Sequence, residues 1–282
     1  MSVCAFDVMR IRRHVVDDNL ARAYGGETPR ARRRIGRRCY QELAVAAFEL
    51  AALVYMSPDE LVAACKVEGL HRLEELHRAG KGCILVTGHL GNWEYLAGSL
   101  AARGLPITAV GAPMHNPAVD RWIHGLRSRF GMDLIRTGRA SGRACLKALR
   151  AGRMLLLLID QDARTRGVFV DFFSTQVSTH TGVALLSLHT GLPIVPCRIT
   201  REGDSHVVHV YSPLDPARFS DRDGSVRLIT QEVTTMLEMW IRERPSAWFW
   251  PHRRFKTRPP AGALPFPREG DRRGTDAADH QA

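Results

Sequence analysis

The chain has 282 residues, 45% of them hydrophobic, which is enough for one substantial core, and it carries a formal net charge of +11. Such a charge favours anionic surfaces as partners, although a solvated basic face without a partner would give the same count. The sequence has no zinc-finger, helix-turn-helix or RNP-like pattern, which disfavours a nucleic-acid binder. Its six cysteines lack metal-ligand spacing and are typical of a reduced intracellular protein.

Two basic helices are predicted at the start of the chain, at about 10–24 and 29–56. Ten arginines fall between residues 10 and 38. The second helix is apolar on most faces after Leu43, but it contains Glu49 and is shorter than the roughly 20 apolar residues that span a bilayer. We expect no cleavable signal peptide. Residues 1–56 are therefore expected to form a basic, amphipathic, membrane-facing segment that packs on the rest of the protein or contacts lipid.

Strands and helices alternate through the rest of the chain. Ser57, Pro58 and Glu60 form a strong helix start, with Ser57 as the N-cap. The hydrophobic pattern then predicts strands at 83–86, 107–110, 133–136, 154–159, 194–200 and 207–211, and helices at 70–79, 117–130, 142–151, 182–190 and 226–243. This alternation predicts one α/β domain over residues 57–260, with a mostly parallel central sheet covered by helices, after an N-terminal helical segment. Residues 261–282 are expected to be a disordered tail.

A histidine and an acid follow the first predicted strand of this domain, in the segment Gly88-His89-Leu90-Gly91-Asn92-Trp93-Glu94. Residues five apart on one helix point about 140° away from each other. His89 and Glu94 can meet only if His89 lies on the turn after the strand and Glu94 lies in the first helical turn, with Asn92 as the N-cap. Glu94 would then accept from one ring nitrogen, and His89 would act as a general base for a hydroxyl. The alternative is a histidine that only caps or packs.

Four ordered blocks of the chain resemble the late acyltransferases of lipid A biosynthesis, the lauroyl and myristoyl transferases of the lysophospholipid acyltransferase-like superfamily. The blocks are 88–94, with the HxxxxE motif, 112–121, with an Asn-Pro pair, 160–182, which begins Asp-Gln-Asp, and 245–256, with Trp-Phe-Trp followed by His-Arg-Arg. The likeness runs from about residue 11 to residue 259. It implies a glycerolipid acyltransferase-like α/β fold. Members of the family commonly carry an N-terminal membrane helix that we do not find here, so we expect either a peripheral protein or a true start upstream.

The resemblance implies an acyltransferase that moves a fatty acyl group from an acyl carrier protein or coenzyme A thioester to a hydroxyl of an anionic glycolipid. A lipid A precursor at the cytoplasmic face of the inner membrane is the expected acceptor, with no cofactor. Another membrane lipid, such as a phosphatidylinositol mannoside or an ornithine-type lipid, is the alternative acceptor. A non-catalytic basic protein that binds membrane surfaces is the alternative from another class.

Candidate substrate-binding residues lie in the middle blocks. Asp160 and Asp162 emerge at the carboxyl end of a continuous apolar strand and would share a crevice with His89 if the two strands are parallel. They could contact substrate hydroxyls, orient a substrate-binding arginine or form a structural ion pair. A metal contact by this pair is disfavoured, because no Cys/His cluster completes a site. The resemblance also implies a site arginine downstream of the HxxxxE block, and the further substrate-binding candidates are Arg127, Arg121 and Asn116.

The aromatic block at 248–250 allows two interpretations. Trp248, Phe249 and Trp250 could form an interfacial membrane anchor beside the cations that follow them. They could equally close the core over the sheet edge. We expect His115 and His180 to be loop or packing histidines.

Overall fold

The computed structural model describes residues 6–7, 9–219 and 224–260. Within those residues the helices are α1 (Arg13–Ala23), α2 (Pro29–Ala52), α3 (Pro58–Ala64), α4 (Leu70–Arg78), α5 (Trp93–Ala102), α6 (Pro117–Arg129), α7 (Ser141–Arg150), α8 (Gly182–Thr190) and α9 (Ser225–Glu243). The strands are β1 (Cys65–Glu68), β2 (Cys83–Thr87), β3 (Ile107–Gly111), β4 (Asp133–Arg136), β5 (Met154–Leu158), β6 (Val168–Phe172), β7 (Thr175–Thr179), β8 (Ile194–Glu202) and β9 (Ser205–Val210). The tail expected at 261–282 lies outside the described residues.

A seven-stranded sheet forms the centre of the fold, in the order β1-β9-β8-β2-β5-β3-β4. Every neighbouring pair is parallel except β8 and β9, which form an antiparallel hairpin. The predicted mostly parallel α/β fold is therefore confirmed. Buried apolar clusters lie against both faces of the sheet, as continuous apolar strands such as β2 and β5 require.

The N-terminal helices pack on the body of the protein. Pro29 begins α2 behind the N-cap Thr28, and the predicted capping box of Ser57 and Glu60 begins α3. The Nδ2 of Asn19 donates to the carbonyls of Trp250 and His252, at 2.8 and 2.7 Å. Within the described residues, no helix has the length and apolar character to cross a bilayer.

Three strands lie where the sequence signals no strand. The four-residue strand β1 is half-exposed at the sheet edge, so its residues carry little hydrophobic pattern. The other two, β6 and β7, form a separate antiparallel hairpin. Its turn residues Phe173 and Ser174 have φ of 49° and 56°, a left-handed pair for which Asn-Gly is the usual sequence. Because the turn sequence is Phe-Ser and not Asn-Gly, the sequence predicts a loop at this hairpin.

Candidate active site

The site lies at the carboxyl ends of two adjacent central strands. Strands β2 and β5 pair in parallel register, with Thr87 opposite Leu158. His89 follows the end of β2, and Asp160 follows the end of β5. Parallel strands bring their carboxyl ends to one edge of the sheet, so the two side chains meet there, as expected.

The Asp160 carboxylate makes two hydrogen-bond contacts with His89. Its Oδ1 lies 2.8 Å from Nδ1 of His89, and its Oδ2 accepts from the His89 backbone N–H at 2.7 Å. A third contact comes from the indole Nε1 of Trp248, which donates to Oδ2 at 2.8 Å. The pair to Nδ1 fixes the imidazole with its Nε2 as the remaining reactive nitrogen. The His89 side chain is 18% exposed.

The sequence leaves open whether Asp160 contacts substrate, orients an arginine or forms a structural ion pair, and its contacts in the structure are with His89 and Trp248. The carboxylate is 0% exposed and lies beneath His89, so a substrate has no access to it. Burial alone would raise the pKa of Asp160. The charge and hydrogen bond of His89, together with His252 and the Trp248 indole, lower it well below its ordinary value.

The same contacts change the pKa of the His89 imidazole. Burial lowers the pKa of His89, but the charge and hydrogen bond of Asp160 and the charge of Glu94 outweigh it, so the pKa lies above its ordinary value. A glycine before the histidine makes the close approach possible. A Cβ at Gly88 would lie 2.6 Å from Cδ1 of Leu237 and 3.1 Å from Oδ2 of Asp160.

Glu94 occupies the predicted first helical turn but has another partner. Asn92 caps α5 by accepting from Tyr95 N, as predicted. The Glu94 carboxylate accepts from Nε and Nη2 of Arg127, at 3.0 and 2.5 Å, and is 8% exposed. The hydrogen bond expected between His89 and Glu94 is therefore not the one that forms, because Arg127 occupies both oxygens and Asp160 occupies Nδ1.

The aromatic block closes the core over the site. Trp248 and Trp250 are both 0% exposed, so the interfacial-anchor interpretation is wrong for these two rings. Leu90 pairs with Trp248 as an isolated antiparallel bridge, and Phe249 N donates to the His89 carbonyl at 2.9 Å. The C-terminal segment thus fixes the turn that carries the histidine.

His252 packs against His89 and Trp248 at the site. Its ring lies edge-on to His89, with centroids 5.9 Å apart, and edge-on to Trp248, at 4.7 Å. Both ring nitrogens are buried without a hydrogen-bond partner among the described residues. Burial lowers the pKa of His252 to about 4 against the charge of Asp160, which raises it, and the charges of His89, Arg254 and Arg12 lower it further. The sequence places His252 in the His-Arg-Arg motif of the last block but does not assign it to the site, because only the fold brings position 252 beside position 89.

Donor atoms of His89, Asp160 and His252 lie within 4.8 Å of one another, a spacing at which a metal ion could be considered. The Asp160 oxygens already accept three hydrogen bonds, and a metal would have to displace them. The arrangement therefore fits an acid–base pair better than a metal centre.

The remaining predicted residues lie around this centre. Asn116 is the N-cap of α6 and accepts from Ala118 N and Val119 N. Arg121 is exposed on the same helix. Asp162 accepts from Oγ1 of Thr257 at 2.8 Å, and its other oxygen is buried without a hydrogen-bond partner in the part of the chain that the structure describes.

The sequence is similar to a known protein family and to several named relatives. The model of the bacterial lipid A biosynthesis acyltransferase family matches residues 2–257. A phosphatidylinositol mannoside acyltransferase of Mycolicibacterium smegmatis is 28% identical over 173 residues, which cover 60% of this chain and 55% of that protein. The lipid A biosynthesis myristoyltransferase of Escherichia coli is 26% identical over 224 residues, 78% of this chain and 68% of that protein. A lipid A biosynthesis acyltransferase of Haemophilus influenzae is 32% identical over 205 residues, 69% and 61% respectively.

The chain spans little more than half the length of the mycobacterial relatives that it matches. The family match, in contrast, covers nearly all of this sequence and includes every element that builds the site. The chain belongs to the bacterial lipid A biosynthesis acyltransferase family.

Proposed function

We propose that this protein is an acyltransferase that moves a fatty acyl group from an acyl carrier protein or coenzyme A thioester to a hydroxyl of an anionic glycolipid. A lipid A precursor is the first candidate acceptor, in line with the names of the E. coli and H. influenzae relatives. A phosphatidylinositol mannoside is the second candidate, because relatives of that name align over 60% or more of the chain.

The observation that carries the proposal is the His89–Asp160 pair at the sheet edge. Nε2 of His89 removes the proton from the acceptor hydroxyl as its oxygen attacks the thioester carbonyl. The tetrahedral intermediate then expels the thiolate, which takes the proton back, so the products are an ester and a thiol. Asp160 acts through His89: it holds the tautomer and stabilises the imidazolium that forms in between. No acyl-enzyme is needed.

Glu94 serves this reaction electrostatically and by positioning Arg127. Its charge raises the pKa of His89, which makes the imidazole a stronger base. Its bidentate pair with Arg127 fixes that guanidinium at the first turn of α5, and there Arg127 would bind an acceptor phosphate or the phosphopantetheine arm of the donor. Arg121 and Asn116 on the same helix extend this binding surface. Asp162, behind the pair, holds the loop after β5.

The reaction is proposed to take place at the cytoplasmic face of the inner membrane, with the protein bound peripherally. The net charge of +11 attracts both anionic lipid and an acidic carrier protein.

The test is acyl transfer by the purified 282-residue chain from labelled acyl carrier protein thioester to a lipid A precursor or to a phosphatidylinositol mannoside, with product identified by mass. We expect His89→Ala to lower the rate by about 10² to 10⁴, the usual contribution of a general base. Glu94→Ala should lower it as well, with part of the loss in KM because Arg127 is released. Transfer within a few-fold of wild type in His89→Ala would disprove the mechanism. Lipid binding without transfer by the wild type would indicate a non-catalytic binding protein.

A further inference from the structure

One face of α2 points away from the body and changes character along the helix. Its exposed residues recur at intervals of three and four, the repeat of a single helical face. They are, in order, Arg30, Arg34, Arg38, Gln41, Val45, Phe48 and Ala52. The face is therefore cationic over its first half and apolar over its second.

The apolar half has no polar side chain on its surface. Every exposed residue between positions 43 and 55 is Ala, Val, Phe or Tyr. Phe48 is 61% exposed, and Tyr55, just past the helix end, is 87% exposed. A run of exposed apolar residues that ends in two large rings is typical of an interaction surface, since each exposed ring forfeits the free energy of burial.

We propose that the outer face of α2 is a docking surface for an anionic lipid bilayer. Phe48 and Tyr55 enter the boundary between headgroups and acyl chains, and the arginines of the same face bind lipid phosphates. The continuity of cationic and apolar residues favours lipid over a protein partner, because a bilayer offers both phosphate and hydrocarbon along one surface. The ten residues from Leu43 to Ala52 are about 15 Å long, so the helix can lie on one leaflet but not cross two.

The inner face of α2 reaches the site. Glu49 accepts from Nδ2 of Asn92 at 2.9 Å, and Sγ of Cys39 lies 3.1 Å from the Trp248 carbonyl. Asn92 caps the helix that carries Glu94, and Trp248 binds Asp160. Lipid bound on the outer face therefore holds the His89 turn beside the membrane surface. This part of the inference rests on the proposed function, because it assumes that the acceptor is a membrane lipid.

Binding is measured with the full chain by co-sedimentation with phosphatidylcholine vesicles, with and without phosphatidylglycerol, in the absence of acyl donor. We expect Phe48→Ser/Tyr55→Ser to lower the partition coefficient about tenfold or more on both kinds of vesicle. Arg34→Gln/Arg38→Gln should lower it about thirtyfold on anionic vesicles only. The matched control Leu185→Ser/Met239→Ser removes side chains that are 52% and 50% exposed elsewhere, and should stay within twofold of wild type.

Two results would overturn the inference. The first is vesicle binding by the Phe48→Ser/Tyr55→Ser variant that equals wild type while its circular dichroism and melting temperature are unchanged. The second is a wild-type dimer in solution that this variant converts to monomer without loss of vesicle binding, which would show that a second copy covers the face. Vesicle binding that depends on these residues in a chain without acyl transfer would leave the inference standing and refute the proposed function.

Discussion

A single buried carboxylate organises the residues of the site. Asp160 binds the His89 ring, the His89 backbone and the Trp248 indole at once. A group with three donors around it is rigid, and a rigid base loses little entropy when the substrate binds. Glu94, which the motif suggested for this place, instead supports an arginine on the neighbouring helix.

Asp160→Asn should separate the electrostatic from the steric part of this arrangement. The amide keeps the shape of the carboxylate but removes its charge and replaces one accepting oxygen with an NH2 donor, so it cannot hold the same His89 tautomer, and we expect kcat to fall at least 10²-fold. Because Asp160 raises the pKa of His89 against its burial, its removal should lower that pKa and shift the acidic limb of the kcat/KM profile, where His89 becomes protonated, to lower pH. A pH profile of wild type and variant measures this. If wild type and variant give the same apparent pKa in this profile, Asp160 does not raise the pKa of His89.

Trp248→Phe tests the third donor to Asp160. It removes the indole N–H and replaces the buried indole with a smaller aromatic ring, and it should lower kcat several-fold with a loss of about 1 to 3 kcal/mol in the free energy of unfolding. Trp250→Phe is the matched control, since Trp250 is equally buried but donates to the Pro245 carbonyl at 2.7 Å. The control should lose similar stability and keep its kcat. Equal losses of kcat in the two variants would contradict a role of the indole in holding Asp160.

At the level of elements, α2 connects the N-terminal segment to the catalytic turn. Glu49 lies in the apolar half of this helix and pairs with Arg201 at 2.7 Å and with Nε2 of His206 at 3.2 Å, besides Asn92. Burial alone would raise the pKa of Glu49, but these partners lower it, so the carboxylate stays charged between α2 and the sheet. An ionised group in that position specifies one docking geometry for α2.

Glu49→Gln should therefore lower kcat more than KM and cost about 1 to 3 kcal/mol of unfolding free energy, because it breaks a half-buried ion pair beside the cap of α5. Glu42→Gln serves as control: Glu42 lies on the same helix and lines a cavity together with Asn92, but it pairs with Arg244 at 3.1 Å and, among the described residues, makes no hydrogen bond to Asn92. We expect it to cost no more than about 1 kcal/mol and to leave kcat intact. Steady-state kinetics and urea unfolding decide between the two outcomes. A kcat that is insensitive to Glu49 would show that α2 docking does not set the site.

At the scale of the whole molecule, the stability of the fold should depend on pH through His252. Its pKa is about 4 in the folded chain and about 6.5 when unfolded, so below pH 6.5 the unfolded chain binds the extra proton. The stability of wild type relative to His252→Phe should be constant above pH 6.5 and fall by ~3 kcal/mol as the pH drops to 4. Urea unfolding at several pH values measures it, with His71→Phe at an exposed position as control. A difference that does not change with pH would contradict the buried neutral imidazole.

The sequence by itself determined the periodic parts of this protein. Continuous apolar runs such as 154–158 predict buried parallel strands because both faces of such a strand are covered, and local caps such as Ser57 and Asn92 act within a single turn. The HxxxxE block and its three companions indicated the family for the same reason, since their order is a property of the chain.

The tertiary structure alone decided which side chains meet. Spacing along the chain made Glu94 the candidate partner of His89, whereas Asp160 reaches it from 71 residues away and Trp248 reaches Asp160 from 88 residues away. Pairing across parallel strands and the return of the C-terminal segment leave no local signal, because each contact depends on the register of two distant segments. The β6–β7 hairpin was missed for a related reason: its turn is held by packing, with Phe173 buried in the core, instead of by turn residues.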